Sequence, residues 1–249
     1  MSSIENEEPQ TSYYSLLRTD LVNLAKDVMD EEVEVIWART LTPREAIGKP
    51  DRTDFPLLKG KEVMIEAVFQ GTRAHAYTDM PGHFRGSLRD AAQLPLKNNF
   101  ERGVFIATFN AVMRRFGKTT NTVHCKDSEP TRCADQLPGF VREHFGNPRI
   151  AFVGYQPAMI DRLSRSFRLR VIDLDEDNIG AKRCDVLIEG PEKTEEVLGW
   201  GELILATGST CVNGSILSFV GRKPVVFYGV TVAGAAAVNG YQRFCPCST

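Results

Sequence analysis

The pattern of apolar and polar positions changes near the middle of the chain. After residue 148, short apolar runs alternate with helical or loop segments at Ile150–Gly154, Leu169–Asp173, Asp185–Glu189, Glu202–Ala206 and Pro224–Tyr228. Near-continuous apolar runs of this length are typical of parallel strands that are covered on both faces. This half therefore predicts a Rossmann-like, doubly wound parallel sheet, in which ligands bind beyond the carboxyl ends of the strands.

The first half places helical and strand-like segments in separate blocks, which predicts an α+β unit. Its third helical segment contains Pro138, where we expect an interruption. Two of its strand-like runs flank Gln70-Gly71, a sequence typical of a hairpin turn. The helical segments are Tyr13–Val28, Arg102–Phe116 and Ser128–Phe145, the strand-like runs are Glu34–Thr40, Glu62–Phe69 and Thr72–Thr78, and residues 40–56 and 79–82 indicate a loop and a turn.

The change of pattern predicts an α/β protein of two domains. Residues 1–12 are polar and acidic, and we expect them to form a disordered tail. Residues 13–147 are expected to form the α+β domain, and residues 148–249 the Rossmann-like domain. A length of 249 residues is compatible with two modest domains.

Composition excludes several classes of protein. A net charge of −2 gives no electrostatic surface for nucleic acid. No apolar run approaches the roughly 20 residues that span a bilayer, so we expect no membrane segment. The first residues are unlike a secretion signal, and six cysteines are too few for a disulfide scaffold in a chain of this length. We therefore expect a cytoplasmic protein with reduced thiols.

The first turn of the predicted parallel sheet, Gly154 to Pro157, is a candidate ligand site. It has one glycine of the G-x-G-x-x-G pattern, and Pro157 has no N–H for a phosphate, so NAD is disfavoured. A smaller ligand near Gly154 and Gln156 is one interpretation, and a plain strand-to-helix turn is the other. Asp173 ends the second strand, where an acid often binds ribose hydroxyls.

The loop from Ala206 to Gly214 is a second candidate because it follows a predicted strand and precedes a helical run, Ile216–Val220. Backbone N–H groups and hydroxyls at such a position can bind an anion. Capping of the following helix is the alternative. The residues concerned are Gly208, Ser209, Thr210 and Asn213.

Histidine and cysteine side chains offer ligands for a soft or borderline metal ion. The candidates are His124, Cys125 and Cys133 in one group, and Cys245 and Cys247 near the end of the chain. Neither group has the paired C-x₂-C spacing of a zinc site. Free cysteines are also common as small buried apolar residues, which is the alternative.

The ordered segments VGYQP, VIDLDEDNIG, DVLIEG, LILATGSTCVNGSI and VVFYGVTVAG, over roughly Ile150 to Gly234, resemble the family known as "putative heavy-metal chelation". The first half resembles the companion domain of such proteins through GKEVMIEAVFQGTRAHAYTDMPG, FIATFNAVMRRFG and TVHCKDSEPTRCA. The resemblance implies an enolase N-terminal-like domain, an atypical Rossmann-like domain and a site in the cleft between them. It also implies a role in handling heavy metal, through a small chelating cofactor. The positions that match are Gly154, Gln156, Pro157, Asp173, Gly208, Ser209, Thr210 and Asn213.

Three hypotheses follow from these features. The first is a protein that handles a metal ion or metallocofactor and binds a small anionic ligand in the interdomain cleft, with soft ligands from the thiols. The second is a nucleotide- or S-adenosylmethionine-type binding module or transferase. The third is a sensor or interaction protein without chemistry. No nucleophile–base pair identifies a catalytic residue, and the sequence leaves both enzymatic activity and homo-oligomer formation open.

Overall fold

The computed structural model describes residues 9–30, 32–38, 43–59 and 62–249. Two sheets and the helices around them form the described part of the chain. The helices are α1 Pro9–Ala25, α2 Pro43–Ile47, α3 Leu88–Ala92, α4 Asn99–Arg115, α5 Glu129–Phe145, α6 Pro157–Ser164, α7 Thr194–Trp200, α8 Thr210–Asn213 and α9 Ala233–Asn239. The strands are β1 Glu32–Ala38, β2 Val63–Phe69, β3 Thr72–Thr78, β4 Gly82–Ser87, β5 Ile150–Val153, β6 Leu169–Ile172, β7 Lys182–Arg183, β8 Val186–Glu189, β9 Leu203–Thr207, β10 Val225–Tyr228 and β11 Gln242–Phe244.

A four-stranded antiparallel sheet, in the order β3-β2-β1-β4, forms in the first half of the chain. The predicted hairpin between β2 and β3 is confirmed. Its two turn residues have positive φ, 47° at Gln70 and 75° at Gly71. Positive φ at both central positions is required by the tight turn that matches the twist of a hairpin, and glycine adopts it without steric cost.

The second sheet has seven strands in the order β11-β10-β9-β5-β6-β8-β7. All of its pairs are parallel except β7 with β8. Without the short β7, the six parallel strands follow the order 3-2-1-4-5-6 of dinucleotide-binding folds, in which the chain changes direction between the first and fourth strands. The predicted parallel sheet is confirmed, and its crevice lies between β5 and β9.

Several local predictions were wrong. Helix α5 is continuous through Pro138. A short helix, α2, forms where we expected loop, and β4 begins at Gly82, where we expected a turn to end. The helical run expected over residues 216–220 is a single 3₁₀ turn, preceded by α8. Neither β7 nor β11 was predicted.

The predicted disordered tail and one predicted strand each include residues outside the described ranges. Helix α1 begins at Pro9, four residues before the predicted start, and residues 1–8 lie outside the described residues. The strand predicted at Glu34–Thr40 is β1, and Arg39 and Thr40 also lie outside the described residues.

Helix α4 lies between the two sheets and is buried from Gly103 to Met113. It packs on β2 and β3 on one side and on α8, α9 and α1 on others. One apolar cluster includes Phe105 and Phe109 of this helix together with Ile204 and Phe227 of the parallel sheet. The two halves of the chain therefore share a continuous core. The predicted division into two domains remains a prediction.

The polar side chain at the centre of this core is Asn110, which is fully buried. Its Nδ2 donates to the carbonyl oxygens of Thr231 at 2.9 Å, Val230 at 3.3 Å and His75 at 3.4 Å. Its Oδ1 accepts from Gly234 N at 2.7 Å. One amide thus joins β3 to the loop that follows β10. At Gly234 a Cβ would lie 2.8 Å from the Phe109 ring, so the close approach requires glycine.

The last residues of the chain fold back onto the segment after α4. Val123 and Thr249 exchange two backbone hydrogen bonds, of 2.7 and 3.1 Å. Asn121 Nδ2 donates to Cys245 O, and Arg243 donates to Asn121 O. These contacts hold residues 119–125 beside the terminal segment, although the two are more than 100 residues apart in sequence. Among the described residues, no helix is long and apolar enough to cross a membrane.

We expect Asn110→Leu to lower the free energy of unfolding by about 3 kcal/mol, because a buried N–H and several carbonyls lose their partner and each costs about 1–3 kcal/mol. Denaturant unfolding measures the change. The matched control is Asn239→Leu, at an exposed asparagine of α9, which should change stability by less than about 0.5 kcal/mol. Equal effects of the two substitutions would contradict the role of Asn110.

Candidate functional site

A cavity of about 700 Å³ lies at the carboxyl ends of β5, β6, β9 and β10. This is the edge of a doubly wound sheet at which ligands bind, and the volume is that of a site for a small organic molecule. The first half of the chain completes the wall with residues around α2, β2 and β3 and with residues 124–133. The cavity is therefore lined by both sheets.

Most of the residues predicted for the site line this one cavity. Pro157 and Cys247 are the two that do not. The predicted lining residues are Gly154, Gln156, Asp173, Gly208, Ser209, Thr210, Asn213, His124, Cys125, Cys133 and Cys245. Sequence reasoning missed several others, which include Glu62, Tyr77, Asn178 and Tyr228.

The two glycines of the cavity wall are explained by packing within the protein. Gly154 has φ +93°, and a Cβ there would lie 2.8 Å from Thr207 Cγ2 and 3.0 Å from the Tyr228 hydroxyl. At Gly208 a Cβ would lie 2.9 Å from Val232 N. Both positions need glycine because strands and loops approach closely, with or without a bound phosphate.

The predicted anion-binding residues make hydrogen bonds within the protein. Gln156 Oε1 accepts from Met159 N and thereby caps α6, which has Pro157 at its first turn. Thr210 Oγ1 donates to Thr207 O, and Ser209 N donates to Thr207 Oγ1 at 3.3 Å.

Asn213 Oδ1 also accepts from within the protein, from the backbone N–H and the hydroxyl of Ser215. These residues shape the cavity wall, and the polar atoms named here already have partners within the protein.

Asp173 follows β6 and organises the turn after it. Its Oδ1 accepts from Asp175 N at 3.0 Å and from Asn178 Nδ2 at 3.1 Å. Burial raises the pKa of Asp173, and these hydrogen bonds act in the opposite direction. Asn178 is 3% exposed, and its Oδ1 has no hydrogen-bond partner among the described residues.

The protonation of Glu62 is strongly affected by its surroundings in the cavity. Burial, together with the charges of Asp173, Asp175 and Asp79, raises its pKa to about 7. A carboxyl with such a pKa can take up or release a proton at neutral pH. It was missed in the sequence because it stands alone before a strand, and its acidic neighbours come from other segments.

His75 fixes the backbone of the segment that carries His124. The N–H of His124 donates to His75 Nδ1 at 3.0 Å, so the proton of His75 lies on Nε2 and is donated to Glu66 Oε2 at 2.8 Å. Burial would raise the pKa of Glu66, but hydrogen bonds from His75 and Arg73 outweigh it and lower that pKa. Burial also lowers the pKa of His75, and the interaction with Glu66 offsets only part of that shift.

His124 itself presents a neutral imidazole to the cavity. Burial, with the nearby His75, lowers its pKa to about 3. Its ring packs edge-on against Tyr77, with centroids 5.5 Å apart, and its Nδ1 has no hydrogen-bond partner among the described residues. A neutral imidazole is the form that binds a metal ion.

Four thiols from three segments of the chain, one of them next to His124 in sequence, lie within electrostatic range of one another. Cys125 and Cys133 each lie within electrostatic range of Cys245 and Cys247, and a hydrogen bond from the backbone of Cys247 reaches the Cys133 thiol. Burial is the main cause that raises the pKa of Cys125, Cys133 and Cys245, so these groups are protonated at neutral pH. The cysteines that are distant in sequence are therefore brought together by the fold.

No ready-made metal centre is present in the described part of the chain. Within residues 9–30, 32–38, 43–59 and 62–249, no three His, Cys, Asp or Glu side chains are placed so that they could hold one metal ion. The donors line a shared cavity without closing around a single point.

Comparison with known proteins agrees with this fold. A family model described as "Putative heavy-metal chelation" matches residues 137–241, which confirms the resemblance found in the sequence. A protein with unknown function from this family in Pyrococcus horikoshii has 15% identity and a TM-score of 0.55, over 88% of this chain and 79% of that one. A second, from Desulfitobacterium hafniense DCB-2, has 12% identity and a TM-score of 0.54, over 93% and 85%. Among proteins of curated function, none matches the chain.

We expect the stability of the protein to fall in acid because His75 and His124 are neutral in the folded state. Their folded pKa values lie below the unfolded value of about 6.5, so the unfolded chain binds more protons below that pH. For His124 the loss of unfolding free energy continues down to about pH 3, with a slope of at most about 1.4 kcal/mol per pH unit.

Denaturant unfolding between pH 6.5 and 4.5 measures this dependence. His124→Asn should reduce the slope of the unfolding free energy against pH by about 1 kcal/mol per pH unit. The matched control His83→Asn, at an exposed histidine, should leave the slope unchanged. A wild-type slope in His124→Asn would show that His124 is not buried as a neutral group.

Proposed function

We propose that the protein handles metal as a small chelate complex, which binds in the 700 Å³ cavity with the metal directed to His124 and the neighbouring thiols. The observation that carries the proposal is that His124, Cys125, Cys133 and Cys245 line the same cavity at the ligand-binding edge of the sheet. Imidazole and thiolate are ligands for soft and borderline metals. The description of the matching family points in the same direction.

A chelate complex fits the cavity better than a bare ion for two reasons. The volume is that of an organic molecule. In addition, the described side chains do not surround any one point with three donors. A metal that arrives with donors of its own needs only one or two ligands from the protein, which this wall can supply.

The charges of the wall limit which chelates can bind. Glu62, Asp79, Asp173 and Asp175 all line the cavity, and Lys59 is the one lysine or arginine among the described lining residues. A ligand with high negative charge would be repelled at the acidic end. We therefore modify the sequence-based expectation of an anionic ligand, and propose that the bound complex is neutral or cationic.

Protonated thiols make the proposed binding depend on pH. A thiol must lose its proton before it binds a metal, so metal binding by Cys125 or Cys245 releases protons. Because burial raises the pKa of both thiols, the apparent affinity should rise throughout the range from neutral to alkaline pH.

The test uses Cd²⁺ as its complex with iminodiacetate, added to protein purified under reducing conditions and followed by cadmium–thiolate absorbance and by calorimetry. We expect Cys125→Ser and Cys245→Ser each to weaken binding by about tenfold or more. The matched control is Cys184→Ser, which removes an exposed thiol outside the cavity wall. Affinity should also rise from pH 6 to 8.

Two results would count against the proposal. One is cadmium binding that persists in Cys125→Ser and Cys245→Ser and is lost in Cys184→Ser. The other is an affinity that does not change with pH, since thiolate ligation requires proton release. Elemental analysis of the protein purified without chelator adds an independent readout of bound metal.

A nucleotide- or S-adenosylmethionine-type ligand is the second candidate. The strand order and the position of Asp173 after the second parallel strand favour it, because ribose hydroxyls are bound there in dinucleotide folds. If it is correct, S-adenosylmethionine or adenosine should bind to the wild type, Asp173→Ala should abolish the binding, and the cysteine variants should retain it. An unchanged affinity in Asp173→Ala would exclude this mode.

A further inference from the structure

Acidic side chains from three separate segments of the chain contribute to the cavity wall. Glu62 precedes β2, Asp79 follows β3, and Asp173 and Asp175 follow β6, yet all four line one cavity. The charges that act on Glu62 are those of the three aspartates. Carboxylates of like charge that line one cavity favour a bound cation.

A second observation at the same place concerns Asn178, which lines the cavity and is 3% exposed. Its amide nitrogen is committed to carboxylates, at 3.1 Å from Asp173 Oδ1 and 3.5 Å from Asp175 Oδ2. This leaves the carbonyl oxygen Oδ1 without a hydrogen-bond partner among the described residues. A buried acceptor without a partner destabilises the fold, and a bound cation would supply that partner.

We propose that Glu62, Asp173 and Asn178 form a subsite for a hydrated hard divalent cation of the Mg²⁺ class. Carboxylate and amide oxygens are the ligands such cations prefer. Mg²⁺ keeps several of its waters and takes only one or two carboxylates from the protein. That mode agrees with side chains that share a wall but do not form a closed cage around one point.

The subsite differs from the proposed thiol site in ligand type. Oxygen ligands select hard cations, whereas thiolate and imidazole select softer ones. The cavity would then bind its organic ligand together with metals of two different kinds. The inference does not depend on the proposed function, because the oxygen ligands and the orphaned carbonyl are observed independently of the thiols.

The experiment titrates the apo protein with Mn²⁺, followed by the paramagnetic resonance of free Mn²⁺, with Mg²⁺ as competitor. We expect one Mn²⁺ site that Mg²⁺ displaces. Glu62→Gln should weaken it by about tenfold or more, and Asn178→Ser should weaken it as well. Glu62→Gln is the principal variant because it removes a negative charge that other carboxylates repel, so the substitution should not destabilise the fold. Thermal unfolding confirms that each variant is folded.

The matched control is Asp177→Asn, which removes one negative charge from an exposed position beside Asn178. It should change Mn²⁺ affinity by less than about twofold. An equal loss in Asp177→Asn and Glu62→Gln would show a diffuse charge effect and overturn the subsite. Failure of the wild type to bind Mn²⁺ at millimolar concentration would overturn it too.

The thiol variants separate the two proposals. Cys125→Ser should keep Mn²⁺ binding and lose the cadmium complex, whereas Glu62→Gln should do the reverse. Loss of Mn²⁺ binding in Cys125→Ser would place the cation at the thiol end and contradict the oxygen subsite. Loss of cadmium alone in the cysteine variants, with no Mn²⁺ site in the wild type, would leave the proposed function standing and remove the subsite.

Discussion

The hydrogen bonds of Asn110 are the constraint on which the rest of the structure depends. A single buried amide on α4 bonds to β3 on one side and to the loop after β10 on the other. A buried amide that loses its partners is expensive, so these bonds determine how the antiparallel sheet is placed relative to the crevice of the parallel sheet. Tyr77 N adds a bond of 3.1 Å to Thr231 Oγ1 in the same region. The shape of the cavity follows from this placement.

The cavity lies where a doubly wound sheet binds its ligand, but its lining residues differ from those of a dinucleotide site. Its place, at the carboxyl ends of β5, β6, β9 and β10, is the edge at which doubly wound sheets generally bind their ligands. Its contents differ from those of a dinucleotide site, because Gly154 and Gly208 are packed against Thr207, Tyr228 and Val232. Carboxylates, thiols and an imidazole also line the cavity. This chemistry is the basis of the proposed metal-containing ligand.

The thiol end of the cavity depends on the return of the chain terminus. Backbone bonds between Val123 and Thr249, and the bond from Asn121 to Cys245, hold two distant segments together. His75 adds a third restraint, since it accepts the N–H of His124. Burial by this packing keeps the thiols protonated and the imidazole neutral, so the same contacts also set the proton cost of the proposed metal binding.

The sequence by itself determined the parallel strands, the β2–β3 hairpin, helices α1, α4 and α5, and eleven residues of the cavity wall, because strand ends, turns and apolar periodicity are local signals. Tertiary structure decided the rest. Glu62 has no local pattern, since the charges that raise its pKa come from aspartates on other segments. The continuity of α5 through Pro138 and the strand β11 depend on packing that periodicity does not report. The convergence of Cys125 and Cys245 likewise rests on long-range hydrogen bonds, which sequence spacing cannot show.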